Sequence, residues 1–216
     1  MIRVICILVG YLFGMFQSAY VYGKINGIDI REHGSGNAGT TNSLRVLGKK
    51  AGLIVLLSDG LKCVFAILLV KLLLPEGYSN ESTLYCIYTA LGAILGHNFP
   101  FYMGFKGGKG IAATYGFLLA FDLRIFIVAV IVFFAVFLTS HYVSLGSLVI
   151  YMVFFIQLVI FGQLGLLGNI APGVLYEIYA VGFVMMALAF IKHGENIKRL
   201  VKGIERKTYI NKKQEK

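Results

Sequence analysis

"YGFLLAFDLRIFIVAVIVFFAVFLTS", Tyr115 to Ser140, carries charge only at Asp122 and Arg124. Read as one membrane helix, it gives the chain six crossings. Read as two short helices turning at Asp122–Arg124, it gives seven. The choice fixes on which side of a bilayer everything after it lies. The composition around it calls for a bilayer: 58% of residues are hydrophobic and the mean hydropathy is +0.79, well above the composition of soluble domains. Ile2–Tyr22, Ala51–Leu74, Leu84–Phe99, Tyr142–Phe161 and Pro172–Ile191 are further apolar runs, each near the roughly 20 residues of helix that cross a membrane. None alternates polar and apolar residues as barrel strands do.

Charge placement decides the count. Of 20 Lys and Arg, five lie between Lys24 and Lys50, two are Lys106 and Lys109, and nine run from Lys192 to the end. Pro75–Thr83 holds Glu76 and Glu81 without a base, and Gly162–Ala171 holds no charge. Short basic loops stay in the cytoplasm, which places loops 23–50 and 100–110 and the tail inside. Six crossings would send the nine basic tail residues outside, so seven are expected. The fold class is therefore all-α, a polytopic membrane protein with seven transmembrane helices, an outer N-terminus and a cytoplasmic C-terminus. Ile111–Phe121 is short for a span, which a shielding helix or a re-entrant loop lining a cavity would accommodate. A signal peptide is the competing reading of the first run, but no small-x-small cleavage site follows it. Cys6, Cys63 and Cys86 lie in apolar runs without metal-type spacing and read as small core residues. One domain, 1–210, is expected, followed by a basic, disordered tail, 211–216.

Three inward-facing polar islands interrupt the apolar chain. The first, His33–Arg45 (HGSGNAGTTNSLR), contains a formal GxGxxG, but no strand precedes it and the dinucleotide reading fails. Its glycines, including Gly36, can turn successive N–H groups into one concavity. Ser35, Asn37, Thr40, Thr41 and Asn42 add donors, and Arg45 adds a planar fork suited to phosphate. The second, His97–Thr114, sets Lys106 and Lys109 around Gly107 and Gly108. It lacks the first glycine and the Ser/Thr of a Walker A loop, yet glycine permits close backbone approach to an anion. The third, His193–Lys207, would as a helix place His193, Asn196 and Gly203 on one face. Asp59 and Lys62 lie deep in an apolar run at i and i+3, where they can pair; charges at that depth either line a cavity or fix packing. Lys71 can snorkel, and Gln17 and Ser18 are candidates for the same polar cavity.

GSGNAGTTNSLR (34–45), GHNFPFYMGFKGGKGIAAT (96–114) and HGENIKRLVKGIERK (193–207), with Asp59-x-x-Lys62, resemble in order and spacing the motifs of the PlsY family, the bacterial acyl-phosphate:glycerol-3-phosphate acyltransferases. Cys63 stands where that family commonly has Gly, and Thr40 where it has Ala. The resemblance covers about Gly10 to Lys207. It implies a seven-helix enzyme of the bacterial cytoplasmic membrane, its active site facing the cytoplasm. Such an enzyme moves an acyl chain from acyl phosphate to the 1-hydroxyl of glycerol 3-phosphate, giving lysophosphatidic acid and phosphate for phospholipid synthesis. It further implies that Ser35 and Arg45 are an essential pair, that His193 and Asn196 serve activity, and that Glu205 supports structure. Gly36, Asn37, Thr41, Asn42, Asp59, Lys62, His97, Lys106, Gly107, Gly108 and Lys109 are the expected substrate and phosphate ligands. Membrane lipids and the enzyme that makes acyl phosphate are the implied partners; no nucleic acid and no cofactor are expected.

The residues themselves agree with two phosphate-bearing substrates at a membrane face. The spacing His-x4-Asp of other acyltransferases is absent, since the fifth residues after His33, His97, His141 and His193 are Ala38, Tyr102, Gly146 and Lys198. The substrate phosphate is then the expected proton acceptor, with the protein orienting and neutralising charge. Two rivals stand beside this reading. A lipid-linked phosphotransferase would hold Mg²⁺ on clustered aspartates, whereas Asp29, Asp59 and Asp122 are far apart. An anion transporter would gather charge near the midplane, whereas most charge here lies toward one face.

Overall fold

The computed structural model describes residues 1–74 and 81–209; the expected tail, 211–216, lies outside them. The described residues form helices and no strand: α1 (Ile2–Gly14), α2 (Ser18–Ile25), α3 (Thr40–Leu47), α4 (Lys49–Leu73), α5 (Ser82–Asn98), α6 (Ile111–Phe121), α7 (Leu123–Ser140), α8 (Val143–Gln163), α9 (Pro172–Lys192) and α10 (Gly194–Val201). Among the described residues, five segments are long and apolar enough to cross a membrane: Ile2–Ile25, which joins α1 and α2, and helices α4, α7, α8 and α9. Helix α5 has 17 residues and α6 only 11.

The chain breaks at Asp122, and a local cap explains why. The Asp122 carboxylate accepts the Arg124 N–H at 2.9 Å and the Ile125 N–H at 3.4 Å, satisfying donors that a new helix start leaves free. Its other oxygen holds the Arg124 guanidinium at 2.6 Å. The chain then reverses. The rings of Tyr115 on α6 and Phe133 on α7 are 5.9 Å apart, whereas one straight helix would hold them about 27 Å apart. Tyr115–Ser140 is therefore two helices folded against each other.

Glycines bring backbones together where lipid offers no hydrophobic drive for helix association. A Cβ on Gly10 would lie 2.0 Å from the Thr89 carbonyl oxygen, and one on Gly14 2.1 Å from that of Ala93. From the other side, Cβ atoms on Gly92 and Gly96 would each meet an α1 carbonyl oxygen, of Ile7 or Tyr11, at 2.2 Å. Helices α1 and α5 thus meet main chain to main chain over this whole length. Helices α4 and α6 do the same at Gly60 and Gly116, where a Cβ added to Gly116 would come within 2.0 Å of the Gly60 oxygen.

This second contact sets the depth of α6. Its first turns face Gly60, about 16 Å along α4 from Lys49. Its last turn meets Lys71, whose Nζ donates to the Ala120 carbonyl at 3.1 Å. Helix α6 therefore accompanies only the second half of α4. Helix α3 packs on the first half, with the Leu44 side chain over Gly52. The space between α3 and α6 is where the polar islands converge.

Candidate active site

The first island is a stapled loop. The Asn42 side chain accepts the Ser35 N–H at 2.8 Å and donates to the carbonyls of Ile30 at 3.1 Å and His33 at 3.0 Å. Gly34 has φ +63°, and a Cβ there would lie 2.3 Å from the Asn42 Oδ1. Asn42 thus shapes the loop, leaving Ser35 and Asn37 toward open space. Nearby, the Arg31 guanidinium is tied to Asp29 at 2.7 Å. Hydrogen bonds from Arg31 hold the Asp29 carboxyl well below the usual carboxylate range.

Beneath it lies a buried polar quartet. Asp59 Oδ1 accepts from Ser18 Oγ and Lys62 Nζ, each at 2.9 Å. Lys62 Nζ also donates to the Phe16 carbonyl at 2.6 Å and meets His97 Nδ1 at 2.9 Å. The pairing of Asp59 with Lys62 matches their i, i+3 spacing. The quartet ties α2, α4 and α5 together, and Gln17 adds a donor to the His97 carbonyl at 2.9 Å. The glycines of the second island pack on the same histidine. A Cβ on Gly107 would lie 2.1 Å from the His97 carbonyl oxygen, and one on Gly108 2.2 Å from His97 Nε2 and 2.6 Å from the Ala38 oxygen. At Gly108 the missing side chain makes room for protein, joining the first two islands.

The third island folds back on itself. Helix α10 ends at Val201, earlier than a helix through Lys207 would, so Gly203 does not share the face of His193 and Asn196. Gly203, at φ +69°, sends its N–H to the Leu200 carbonyl at 3.1 Å, and Ile204 N–H reaches that of Arg199 at 2.9 Å, a Schellman stop. The reversal returns Glu205 to the helix. Its carboxylate accepts from Asn196 at 2.6 Å, Arg199 at 2.7 Å and Ser144 at 2.8 Å. Burial pushes Glu205 up, but these three donors outweigh it and hold the carboxyl low. Asn196 Oδ1 in turn accepts from Lys109 Nζ, which locks the second island to the third. Burial pulls the Lys109 ammonium down to about 8, more than the Glu205 charge restores. His193 Nδ1 faces the Ala189 carbonyl at 2.8 Å, so that nitrogen carries the hydrogen and Nε2 keeps its lone pair. Burial first, and the Lys109 charge second, lower His193 to about 4, leaving it neutral at physiological pH.

All three islands line one cavity of about 1010 Å³. Ser35, Gly36, Asn37, Thr41, Asn42, Arg45, Asp59, His97, Lys106, Gly107, Lys109, His193, Asn196 and Glu205 reach it; Lys62 and Gly108 do not. An apolar arm leaves the polar end between α4, α6 and α7, lined by Leu57, Leu61, Leu119, Val130 and Phe134 among others. Reasoning from sequence missed Ser144, Lys192 and Arg206, which also line the cavity. Ser144 and Lys192 sit at the ends of apolar runs, where a lone polar residue carries no signal. Arg206 was hidden among other basic residues of the third island.

The residue 4–203 segment matches the family model described as glycerol-3-phosphate acyltransferase. A glycerol-3-phosphate acyltransferase 2 of Bacillus cereus is 37% identical over 209 residues, 96% of each chain. A glycerol-3-phosphate acyltransferase of Macrococcus caseolyticus is 34% identical over 207 residues, 95% of this chain and 97% of that one. Among solved structures, the fold is similar to two crystal structures of PlsY, an integral membrane glycerol 3-phosphate acyltransferase. They are its glycerol 3-phosphate form, with a TM-score of 0.81, and its lysophosphatidic acid form, with 0.79; both are 31% identical, covering 96% of each chain.

Proposed function

The chain belongs to the glycerol-3-phosphate acyltransferase family, and from that premise we propose that it acylates the 1-hydroxyl of glycerol 3-phosphate using acyl phosphate as donor. The products are lysophosphatidic acid and inorganic phosphate, for phospholipid synthesis. One observation carries the reading: a single cavity joins a cationic end, where polar groups from three islands meet, to an apolar arm suited to a fatty chain. The phosphate of glycerol 3-phosphate lies against Lys106 and Lys109, at the turn through Gly107, whose own N–H donates to the Asn98 carbonyl at 3.2 Å. Ser35 and Arg45 face the donor phosphate across the cavity.

The reaction then needs little from the protein beyond placement and charge. The glycerol hydroxyl oxygen attacks the acyl carbonyl carbon, the bond from that carbon to the phosphate oxygen breaks, and phosphate leaves with the electron pair and accepts the hydroxyl proton. Neutral His193, with Nε2 as acceptor, orients that hydroxyl. Fixed cations neutralise charge as it moves onto the leaving phosphate, a contribution that counts most where water is excluded. The chain sits in the bacterial cytoplasmic membrane with seven crossings and the polar end of the cavity facing the cytoplasm. Purified protein given radiolabelled glycerol 3-phosphate should form lysophosphatidic acid with acyl phosphate and not with acyl thioesters. Turnover with a thioester alone would remove acyl phosphate as the donor.

A further inference from the structure

The segment after α10 is pinned along its length. The Thr208 N–H donates to the His141 carbonyl at 2.9 Å, the Tyr209 and His141 rings are 4.6 Å apart, and Lys207 Nζ lies 5.7 Å from the Tyr142 ring centre. With Glu205 held by three donors, residues 203–209 form a strap from α10 to the turn between α7 and α8. Arg206 lies between these fixed points. It reaches back to the first island, donating to the Gly34 carbonyl at 3.1 Å, and it lines the cavity.

Four arginines line that cavity: Arg31, Arg45, Arg199 and Arg206. Two are neutralised, Arg31 by Asp29 at 2.7 Å and Arg199 by Glu205 at 2.7 Å. Arg45 and Arg206 have no carboxylate partner among the described residues, and the Arg206 charge acts on Arg45. Burial lowers the Arg45 guanidinium first, and the Arg206 charge lowers it further, with Glu205 opposing. Two guanidiniums that line one cavity repel unless an anion lies between them, and their planar donor forks match phosphate oxygens. The Gly34 carbonyl that holds Arg206 belongs to the residue before Ser35, and Ser35, Arg45 and Arg206 line the same cavity.

We propose that Arg206, delivered by the C-terminal strap, pairs with Arg45 to bind a substrate phosphate and is a direct ligand of the reaction. The shared chemistry is a phosphate carried either by the acyl donor or by glycerol 3-phosphate, and the assignment of a substrate rests on the acyl-transfer reading above. The test compares wild type, Arg206→Gln, Arg206→Lys and, as a charge control outside the cavity, Lys202→Gln. Inorganic phosphate serves as a probe that needs no turnover: its stabilisation of the purified full chain against thermal unfolding is titrated. Wild type and Lys202→Gln should respond alike, and Arg206→Gln should need about tenfold more phosphate, as for a lost charge-assisted hydrogen bond. Arg206→Lys should fall between them.

Steady-state kinetics then identify the source. The KM of one substrate should rise about tenfold in Arg206→Gln with kcat nearly kept, as for a lost binding contact; a rise for the donor assigns the site to acyl phosphate, a rise for the acceptor to glycerol 3-phosphate. An unchanged phosphate titration in Arg206→Gln, no response in the wild type, an equal loss in Lys202→Gln, or a fall in kcat alone overturns the proposal. If Arg206→Gln does not fold, Arg206→Lys decides: a phosphate response equal to wild type overturns the proposal and a several-fold weaker one supports it. Failure of the wild type to turn over acyl phosphate would sink the donor assignment and leave the phosphate titration standing.

Discussion

Lys109 contacts neutral Asn196 and is largely removed from water, which lowers its pKa to about 8. Below that pH it is a cation; above it the free enzyme loses the positive charge proposed to hold the substrate phosphate. Because kcat/KM reports the free enzyme, its value for glycerol 3-phosphate should fall about tenfold per pH unit above about pH 8. The kcat limb should lie at higher pH, since bound phosphate favours the charged lysine. His193, lowered to about 4, contributes no step between about pH 5 and 7. Lys109→Arg should abolish the alkaline descent in a pH–rate profile; an identical descent in both proteins removes Lys109 from substrate binding. Most polar residues of the cavity were legible in sequence because donors and glycines crowd the three islands. The exceptions have a physical reason. A glycine that admits a ligand and one that admits a neighbour read alike, and only the fold shows His97 filling the space beside Gly108. A lysine at i+3 from an aspartate predicts a pair, as at Asp59 and Lys62, without saying which way the pair turns.

Helices were readable from apolar runs, and the break at Asp122 from the placement of Lys and Arg, which called for a seventh crossing; the Asp122 cap that makes the break came only with the structure. Which helices touch was less accessible. Gly10 with Gly14, and Gly92 with Gly96, show four-residue spacing, which marks a face but not the face it meets. Helix α10 was over-extended because its polar pattern continues past Gly203, where a left-handed residue ends it. The α1–α5 seam bears on the candidate site because Gln17 and Ser18, just beyond α1, hold His97 and Asp59, which line its cavity. Gly14→Leu forces a side chain into a main-chain contact and should cost about 3 kcal/mol or more of stability, with loss of activity. Gly173→Ala, with nothing within 4 Å of the added atom, should change neither. Denaturant unfolding and the acyl-transfer assay of both variants make the comparison, and a Gly14→Leu protein as stable as Gly173→Ala would refute the seam.

For the molecule as a whole, the distribution of Lys and Arg is what orients the chain in the proposed reading. Single cysteines test it cleanly because Cys6, Cys63 and Cys86 are buried. In intact cells an impermeant thiol reagent should label Leu123→Cys and Asn169→Cys, and should reach Lys50→Cys and Lys198→Cys only after permeabilisation. Labelling of all four from one side, or the reverse pattern, would undo seven crossings with an inner C-terminus. Charge thus offers an expectation for orientation, whereas depth has no such signal: nothing in the sequence of α6 says that it accompanies only half of α4. That half-length leaves the apolar arm as an open groove. Leu57, Leu61, Leu119 and Phe134, which line it, remain 53%, 45%, 46% and 46% exposed. A fatty chain can therefore slide in from the side without leaving the hydrocarbon, while a polar co-substrate arrives from water. The two reactants then follow different concentration scales, one a molarity and the other a mole fraction in the bilayer. Adding inert lipid at fixed donor should slow such an enzyme by surface dilution alone.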